Sequence, residues 1–565
     1  MLHWRKNFKL FVAVELAIVA LVFTATAVYA APPPPVISLL KQADGTVFEA
    51  WAYGDEWYSG VETVDGYTIF FDERTQNWVY AWKGPDGSLN RSSLVVGKDR
   101  PVGIPKHLRP APELIANRRP AFLAQRGRPE GGGNIGAQPM LVLLVDFDDR
   151  NPVGTTAGDW EKMIFGNENS VAHYYKEVSY NKFNFAQAAE SHGTPNDGIV
   201  GWLRMPYDHP NSGWMPGIAD QQLAKDAILA ADTYVDFAAF DGNGDGYISR
   251  DELRLVLVVA GYEAGYYQAG APACTPCIRG TAWGLDGIVS PPVVDGKTVA
   301  FWSGGGGYTQ FGEWHCHSLD TPGHVATLGI MVHEIGHDLD WPDLYDTDYS
   351  SKGVGYWSVM SYGMWRYTGS YPGDRPSHPD AWSKWYQGWL TPTEVSGLVG
   401  GASIPQVETS PMAYQLLDNP GGVDWDFYDR SGTGEYFLVE NRQKVGYDEG
   451  LPGCGLLIWH IDETRPYDNW ANADETRKLV DLEEADGRND LDHNANWGDS
   501  GDPYPGDRNN RTFNDASTPN SHLYIGTPSK VSVTNVSDAG ATMTADLGAP
   551  TVAYQLFLPL MMKNY

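Results

Sequence analysis

The chain has 565 residues, of which 42% are hydrophobic, so it can form several domains with buried cores. Its formal net charge of −31 argues against a nucleic-acid partner, because phosphate binding requires clustered Lys and Arg. We therefore expect a globular, modular protein, and the acidic balance suits an exported protein that binds calcium.

Residues 1–30 have a basic start, an apolar run and the sequence Val28-Tyr29-Ala30 before Ala31. This arrangement is typical of a signal peptide that is removed after residue 30. The apolar run is long enough that an uncleaved membrane anchor is the alternative. We favour cleavage, which predicts a secreted protein with no membrane contact after processing.

Residues 31–117 contain short alternating runs such as TVFEAWAYG and GYTIFF, separated by Asp-Gly pairs and single glycines. This pattern predicts a small β-rich module, which we interpret as a pro-region. Residues 118–135 follow, with four arginines among Pro and Gly. That composition indicates an exposed, cleavable linker.

The remainder of the chain divides by the type of its hydrophobic pattern. In residues 136–395, MLVLLVDFDD and LRLVLVVAG have the length of buried strands, whereas SVAHYYKEVSYNKF and GIADQQLAKDAILAADTYV have helical periodicity. Residues 396–548 carry short strands between Gly, Asn and Asp clusters, which predicts a β-rich C-terminal domain. Residues 549–565 form a short apolar tail. The predicted fold class is α+β.

The sequence HEIGHDLDWPD, residues 333–343, contains the residues that we expect to form a catalytic zinc site. On a helix, His333 and His337 share one face, so both imidazoles can bind one zinc ion. Glu334 is placed to accept a proton from a water molecule that the metal activates. If the chain doubles back after the helix, Asp343 can be the third ligand, which leaves a position open for water and substrate. Asp346 is a rival ligand or a partner of a ligand.

Two further features support the zinc interpretation. Asp340 stands where the extended zinc motif normally has Gly, and Asp is among the few other residues that tolerate a left-handed turn. Downstream, SVMSYG resembles the Met-turn of metzincin proteases, in which a methionine packs beneath the zinc and a tyrosine two residues later can reach the active site. Met360 and Tyr362 occupy these positions.

Taken together, HEIGHDLDWPDLYD and SVMSYG are similar to the immune inhibitor A family of secreted bacterial metallopeptidases, whose third zinc ligand is aspartate. The resemblance covers roughly residues 36–547. It implies a metzincin-like zinc protease domain with a mixed sheet and an active-site helix, and protein or peptide substrates. Glu334 would be the general base and Tyr362 a donor to the developing oxyanion.

A second motif, DGNGDGYISRDE, has the ligand pattern of an EF-hand calcium loop. The expected ligands are the side chains of Asp241, Asn243, Asp245, Ser249 and Glu252 and the backbone carbonyl of Tyr247. An EF-hand would continue as a helix, but a strand-like run follows here. We therefore expect a calcium-stabilised connection within the catalytic domain and no sensor function.

The four cysteines are Cys274, Cys277, Cys316 and Cys454. In an exported chain they predict two disulfides. The alternative is a second zinc site formed by CTPC and the His-Cys-His sequence at residues 315–317.

Two other functions fit parts of the sequence. One is a zinc hydrolase acting on cell-wall peptides. The other is a calcium-dependent adhesin with a vestigial zinc helix, but an adhesin has no need of Glu334. The predicted function is therefore a secreted zinc endopeptidase that is made as a precursor.

Overall fold

The computed structural model describes residues 31–55, 59–72, 74–111, 114, 134–213, 217–266, 274–285, 289–316, 323–369, 371–424, 432, 434–465 and 471–551. The predicted signal peptide, nearly all of the predicted linker and most of the predicted tail lie outside these residues. Within the described residues, no helix has the length and apolar character needed to cross a membrane.

The first part of the chain is an antiparallel sheet in which each strand pairs with the next. Its strands are β1 Ser38–Lys41, β2 Val47–Gly54, β3 Ser59–Thr63, β4 Thr68–Asp72, β5 Asn77–Lys83 and β6 Leu89–Val95. The turns at Asp65-Gly66 and Asp86-Gly87 use glycines with φ of +86° and +80°, as tight hairpins require. One face buries a small core that includes Ile69, Trp78 and Tyr80.

The central part is built on an eight-stranded mixed sheet. Its strands, with those of a small three-stranded sheet, are β7 Gly136–Phe147, β8 Phe183–Gln187, β9 Ile199–Met205, β10 Tyr247–Ile248, β11 Arg254–Glu263, β12 Cys277–Ile278, β13 Thr281–Trp283, β14 Val293–Val294, β15 Lys297–Val299, β16 Tyr308–His315 and β17 His324–Val325. The strands β7, β11 and β16 are parallel neighbours, and β13 and β17 pair antiparallel with β16. The continuous apolar runs predicted as strands are β7 and β11, which lie at the centre of the sheet and are buried.

Five helices are described, α1 Ala157–Phe165, α2 Val171–Val178, α3 Ile218–Ala231, α4 Leu328–Asp338 and α5 Ala381–Tyr386. Thr156 and Ser170 cap α1 and α2 by accepting hydrogen bonds from backbone N–H groups of the first turn. All residues of α4 are buried. This helix begins at Leu328, directly after Thr327.

The last part contains two sheets, one of five strands and one of four. Their strands are β18 Thr393–Val395, β19 Gly397–Pro405, β20 Tyr414–Leu416, β21 Glu435–Arg442, β22 Gly455–Asp462, β23 Val480–Leu482, β24 Phe513–Asn514, β25 Ser532–Thr534 and β26 Thr542–Ala549. Both sheets contribute to one apolar core, in which Phe437, Ile458 and Leu547 are fully buried. With few helices and several sheets, the chain has the predicted α+β class.

The first sheet packs against the rest of the molecule through strand β2. The ring of Tyr53 lies 6.1 Å from that of Tyr349, and the ring of Trp51 lies 5.1 Å from that of Trp497. Ahead of this sheet, residues 31–34 are buried, and Ala31 belongs to the same apolar cluster as α4. The chain therefore enters the central part before it forms its first strand.

Candidate metal centre

Helix α4 presents His333 and His337 on one face. Their Nε2 atoms are 3.2 Å apart. Nδ1 of His333 lies 2.9 Å from the carbonyl oxygen of Val359, and Nδ1 of His337 lies 2.8 Å from that of Trp341. Because a carbonyl only accepts, each Nδ1 carries the proton, and each Nε2 directs a lone pair towards the other ring.

A tight turn after α4 brings Asp343 back to the two histidines. Asp340 has φ of 68°, so the predicted left-handed turn at this non-glycine residue is confirmed. Oδ1 of Asp343 then lies 3.1 Å from Nε2 of His337 and 3.3 Å from Nε2 of His333. The carboxylate oxygen faces two nitrogen atoms that have no proton to donate.

This arrangement of donors fits a metal ion. Each of the three side chains offers a ligand atom, the ligand atoms lie within 4.8 Å of one another, and all three residues are buried. Burial lowers the pKa of His333, which keeps its imidazole neutral. Two neutral imidazoles and a carboxylate are a ligand set that zinc accepts, and a cation between them would compensate the buried charge.

Glu334 lies beside these donors with its carboxylate in the protein interior. Burial raises the pKa of Glu334 well above its usual range, and the negative charge of Asp343 adds to the effect. Its Oε1 accepts a hydrogen bond of 3.1 Å from the backbone nitrogen of Ala31. Its Oε2 has no hydrogen-bond partner among the described residues. A buried carboxylate of raised pKa is a stronger base than an exposed one, and this one lies within hydrogen-bond reach of a peptide nitrogen.

The segment around Met360 supports α4 from the other side. A Cβ atom built on Gly336 would lie only 2.6 Å from Sδ of Met360, so the methionine packs directly against the helix between the two histidines. The backbone of the same segment holds His333 through the carbonyl of Val359. Tyr362 is buried next to Tyr345 and Trp497, and these contacts do not include the three convergent donors.

The N-terminal segment was not predicted to reach this site. The nitrogen of Ala31 lies on Glu334, and the carbonyl oxygen of Pro32 accepts a hydrogen bond of 2.7 Å from Nε1 of Trp365. The only sequence signal was the run APPPP, which is equally typical of a processing junction. Because these contacts join residues more than 300 positions apart, no local pattern could reveal them.

The calcium loop folds as a compact turn that does not assemble its carboxylates. Among the described residues, two groups of three or more His, Cys, Asp or Glu side chains converge closely enough to hold an ion, and this loop is in neither group. Asp241 accepts hydrogen bonds from backbone nitrogens of Gly244 and Gly246, and Nζ of Lys297 lies 2.6 Å from its Oδ2. Glu252 accepts from the backbone nitrogens of Asn243 and Ser249. Calcium binding at this loop stays a prediction.

The rival zinc ligand Asp346 belongs elsewhere. It lies in the second group of converging donors, with Asp348 and Glu475, while His333, His337 and Asp343 form the first group. Its carboxylate also accepts hydrogen bonds from the backbone nitrogens of Asp348 and Ser351.

The cysteines form one disulfide, between Cys274 and Cys316, and the expectation of two disulfides is wrong. Cys277 and Cys454 are free. Cys277 is buried on β12, and Cys454 immediately precedes β22 in the last part of the chain. The alternative second zinc site is also wrong in its proposed form, since the disulfide consumes two of its thiolates. His315 is buried and stacked on Tyr266, and burial holds its pKa well below the usual range. His317 lies outside the described residues.

Comparison with known proteins identifies the central part. Residues 132–391 match the model of the immune inhibitor A peptidase M6 catalytic domain. The chain is 28% identical over 274 residues to immune inhibitor A of Bacillus thuringiensis subsp. alesti, covering 41% of this chain and 37% of that protein. It is 29% identical over 309 residues to the pre-pro-metalloprotease PrtV of Vibrio cholerae serotype O1 (strain M66-2), covering 48% of this chain and 29% of PrtV. The match thus spans roughly a third of each relative's length.

Members of a metalloprotease family require a metal, usually zinc, and the His-His-Asp group lies within the matched residues. Residues 132–391 of this chain are therefore similar to the catalytic domain of the immune inhibitor A peptidases of family M6.

Proposed function

We propose that the protein is a secreted zinc endopeptidase that is made as a precursor and cleaves protein or peptide substrates. The observation that carries this proposal is the convergence of His333, His337 and Asp343 next to the buried carboxyl group of Glu334. The three residues would hold zinc. When bound, the metal supplies a Lewis acid that polarises the scissile carbonyl and lowers the pKa of water.

Glu334 would act as the general base. Its carboxyl group lies in a dry environment that raises its pKa, so it can take a proton from water and keep it until the peptide nitrogen leaves. The hydrogen bond from the nitrogen of Ala31 supports this role, because a peptide-like nitrogen fits within reach of Oε1. Tyr362 remains a proposed donor to the oxyanion, and Met360 a structural support beneath the metal in a metzincin-like arrangement.

The pro-region would keep the precursor inactive by occupying the cleft. Residues 31–34 are buried there, and the sheet of residues 38–95 is anchored through the contacts of Trp51 and Tyr53. No cysteine precedes residue 274, so a thiolate of the pro-region cannot be the blocking group. Cleavage in the linker at residues 118–135 would allow the pro-region to leave. Calcium bound at residues 241–252 would replace the ion pair between Asp241 and Lys297 and would stabilise the catalytic domain.

The test compares Glu334→Gln with Glu168→Gln, a matched control at an exposed position. Both variants and the wild type are activated by the same treatment. Their zinc content is then measured by mass spectrometry, and their hydrolysis of casein and of purified cell-wall peptides is followed. We expect Glu334→Gln to retain zinc and to lose at least about a thousandfold in casein hydrolysis, because the ligands survive and the base is lost. Substantial casein hydrolysis by this variant would reject the assignment.

The same assay separates the alternative functions. An enzyme that cleaves cell-wall peptides but not casein would be the other kind of zinc hydrolase. A wild-type protein that cleaves neither substrate while binding zinc would favour the adhesin.

A further inference from the structure

The N-terminal segment crosses the catalytic cleft in a defined direction. The nitrogen of Ala31 lies 3.1 Å from Oε1 of Glu334, and one residue further the carbonyl oxygen of Pro32 lies 2.7 Å from Nε1 of Trp365. Ala31, Glu334 and Trp365 are at most 1% exposed, so both hydrogen bonds are shielded from water. From Ala31 towards its C-terminal side, the segment runs from the general base to the indole.

This direction matches one half of a cleaved peptide. In the proposed reaction, Glu334 passes a proton to the nitrogen of the residue that follows the cleaved bond. Just after cleavage, that nitrogen must therefore lie beside the Glu334 carboxyl group, which is where the nitrogen of Ala31 lies. Ala31 thus stands in the place of the first residue after the cleaved bond, and Pro32 in the place of the second.

The indole of Trp365 is held in position by its neighbours. It ends the short helical turn Tyr362–Trp365, and its ring lies 5.8 Å from the ring of Tyr266 and 6.2 Å from that of His315. Among the described residues, its Nε1 has one hydrogen bond, to the carbonyl oxygen of Pro32. When the pro-region leaves, this donor loses that partner and becomes available to a carbonyl group of a bound substrate.

We propose that Trp365 is a substrate-binding residue that donates a hydrogen bond to the carbonyl oxygen of the second residue after the cleaved bond. The inference rests on the proposed function. It predicts that productive binding requires a substrate that extends at least two residues beyond the cleaved bond and carries this carbonyl group. Trp365 would then align the peptide so that the scissile nitrogen lies next to Glu334.

The test uses a pair of peptides that differ in one group. A peptide cleaved by the activated wild-type enzyme is identified by mass spectrometry and resynthesised in two forms, both ending shortly after the cleaved bond. One form ends in alaninamide as the second residue, and the other ends in an isopropyl amide at the same place. The two have the same branching at the α carbon, but the second lacks the carbonyl group.

We expect wild-type enzyme to cleave the alaninamide peptide with a kcat/KM about tenfold higher than the isopropyl amide, mainly through KM, because one buried hydrogen bond is lost. In Trp365→Phe this ratio should fall to about one. The control Trp389→Phe should keep the wild-type ratio. Trp389 also donates its indole N–H to a backbone carbonyl, that of Asn134 at 2.8 Å.

If wild-type enzyme cleaved the alaninamide and isopropyl amide peptides with nearly equal kcat/KM, the inference would be overturned, even if the Trp365 variant did not fold. An unchanged ratio in folded Trp365→Phe would overturn it as well. If activated wild-type enzyme cleaved no peptide, the proposed function would fail first, and that result is distinct from equal cleavage of both peptides.

Discussion

Substitution by alanine should have different effects on thermal stability at two glycines that occupy the same position in their helices. Gly329 is the second residue of α4, and Gly158 is the second residue of α1. A Cβ atom on Gly158 would have its nearest neighbour at 4.0 Å, but a Cβ atom on Gly329 would lie 1.9 Å from the carbonyl oxygen of Met364. The nitrogen of Gly329 also donates a hydrogen bond of 2.8 Å to Gly373. Helix α4 thus begins in direct backbone contact with the segment that carries Trp365.

The size of the difference follows from these contacts. Helix propensity alone favours Ala over Gly by up to about 1 kcal/mol, so Gly158→Ala should be neutral or slightly stabilising. In Gly329→Ala, the helix or the Met364 backbone must move by about 1.5 Å to restore ordinary contact. Overpacking against backbone of this severity costs about 3 kcal/mol or more, which outweighs the propensity gain. In a domain of this size, that loss corresponds to a Tm decrease of about 6–12 °C.

The assay is thermal unfolding followed by circular dichroism, together with zinc content and activity of the activated variants. Gly329→Ala should unfold at a lower temperature and lose activity, since the same displacement shifts α4 and the Trp365 turn. An unchanged Tm in Gly329→Ala, or an equal decrease in Gly158→Ala, would refute the reasoning.

Three further predictions concern other parts of the molecule. Burial opposes the charge on His460, but hydrogen bonds to Glu435 and Glu483 raise its pKa to about 9. The pKa of a histidine in the unfolded chain is near 6.5, so protonated His460 stabilises the fold fully below pH 6.5, and this stabilisation is lost as the pH rises towards 9. The difference in free energy of unfolding between wild type and His460→Gln, measured in urea, should therefore decline by about 3 kcal/mol over that range. A pH-independent difference would contradict this. Calcium should raise the Tm of wild type but not of Asp245→Asn, with zinc content unchanged in both, and an equal response of the two proteins would exclude the loop as the site. N-terminal sequencing of active secreted protein should find a start between Arg118 and Gly136, whereas a fully active protein starting near Ala31 would show that the first sheet is a permanent domain.

Local sequence patterns were sufficient for much of the fold. The apolar runs of β7 and β11 were recognisable as buried strands because they lack the alternation of a half-exposed sheet. The spacing of His333 and His337 places them on one face of any helix, and this holds before tertiary packing is known. Asp340 was predicted to adopt a left-handed conformation because few other non-glycine residues tolerate it, and its φ of 68° agrees.

Local patterns failed where the result depended on distant partners. The spacing of the cysteines permits several pairings, and only the fold brings Cys274 to Cys316 while it leaves Cys277 on β12 apart from Cys454. The calcium loop has every expected ligand type, but Lys297, which lies 56 residues further along the chain, reaches Asp241. A motif determines which donors are present, and packing determines which charges surround them.

What the sequence determined by itself is the local chemistry of the site: two imidazoles and a carboxylate at spacings that allow convergence, with Glu334 between the histidines. What only the tertiary structure decided is the environment of that chemistry. The carbonyl groups of Val359 and Trp341 set the protonation of the imidazoles, burial raises the pKa of Glu334, and Ala31 and Pro32 lie across the cleft against Glu334 and Trp365. The physical reason is that helix periodicity acts over a few residues, whereas burial and hydrogen bonding depend on segments that the chain brings together from hundreds of residues apart.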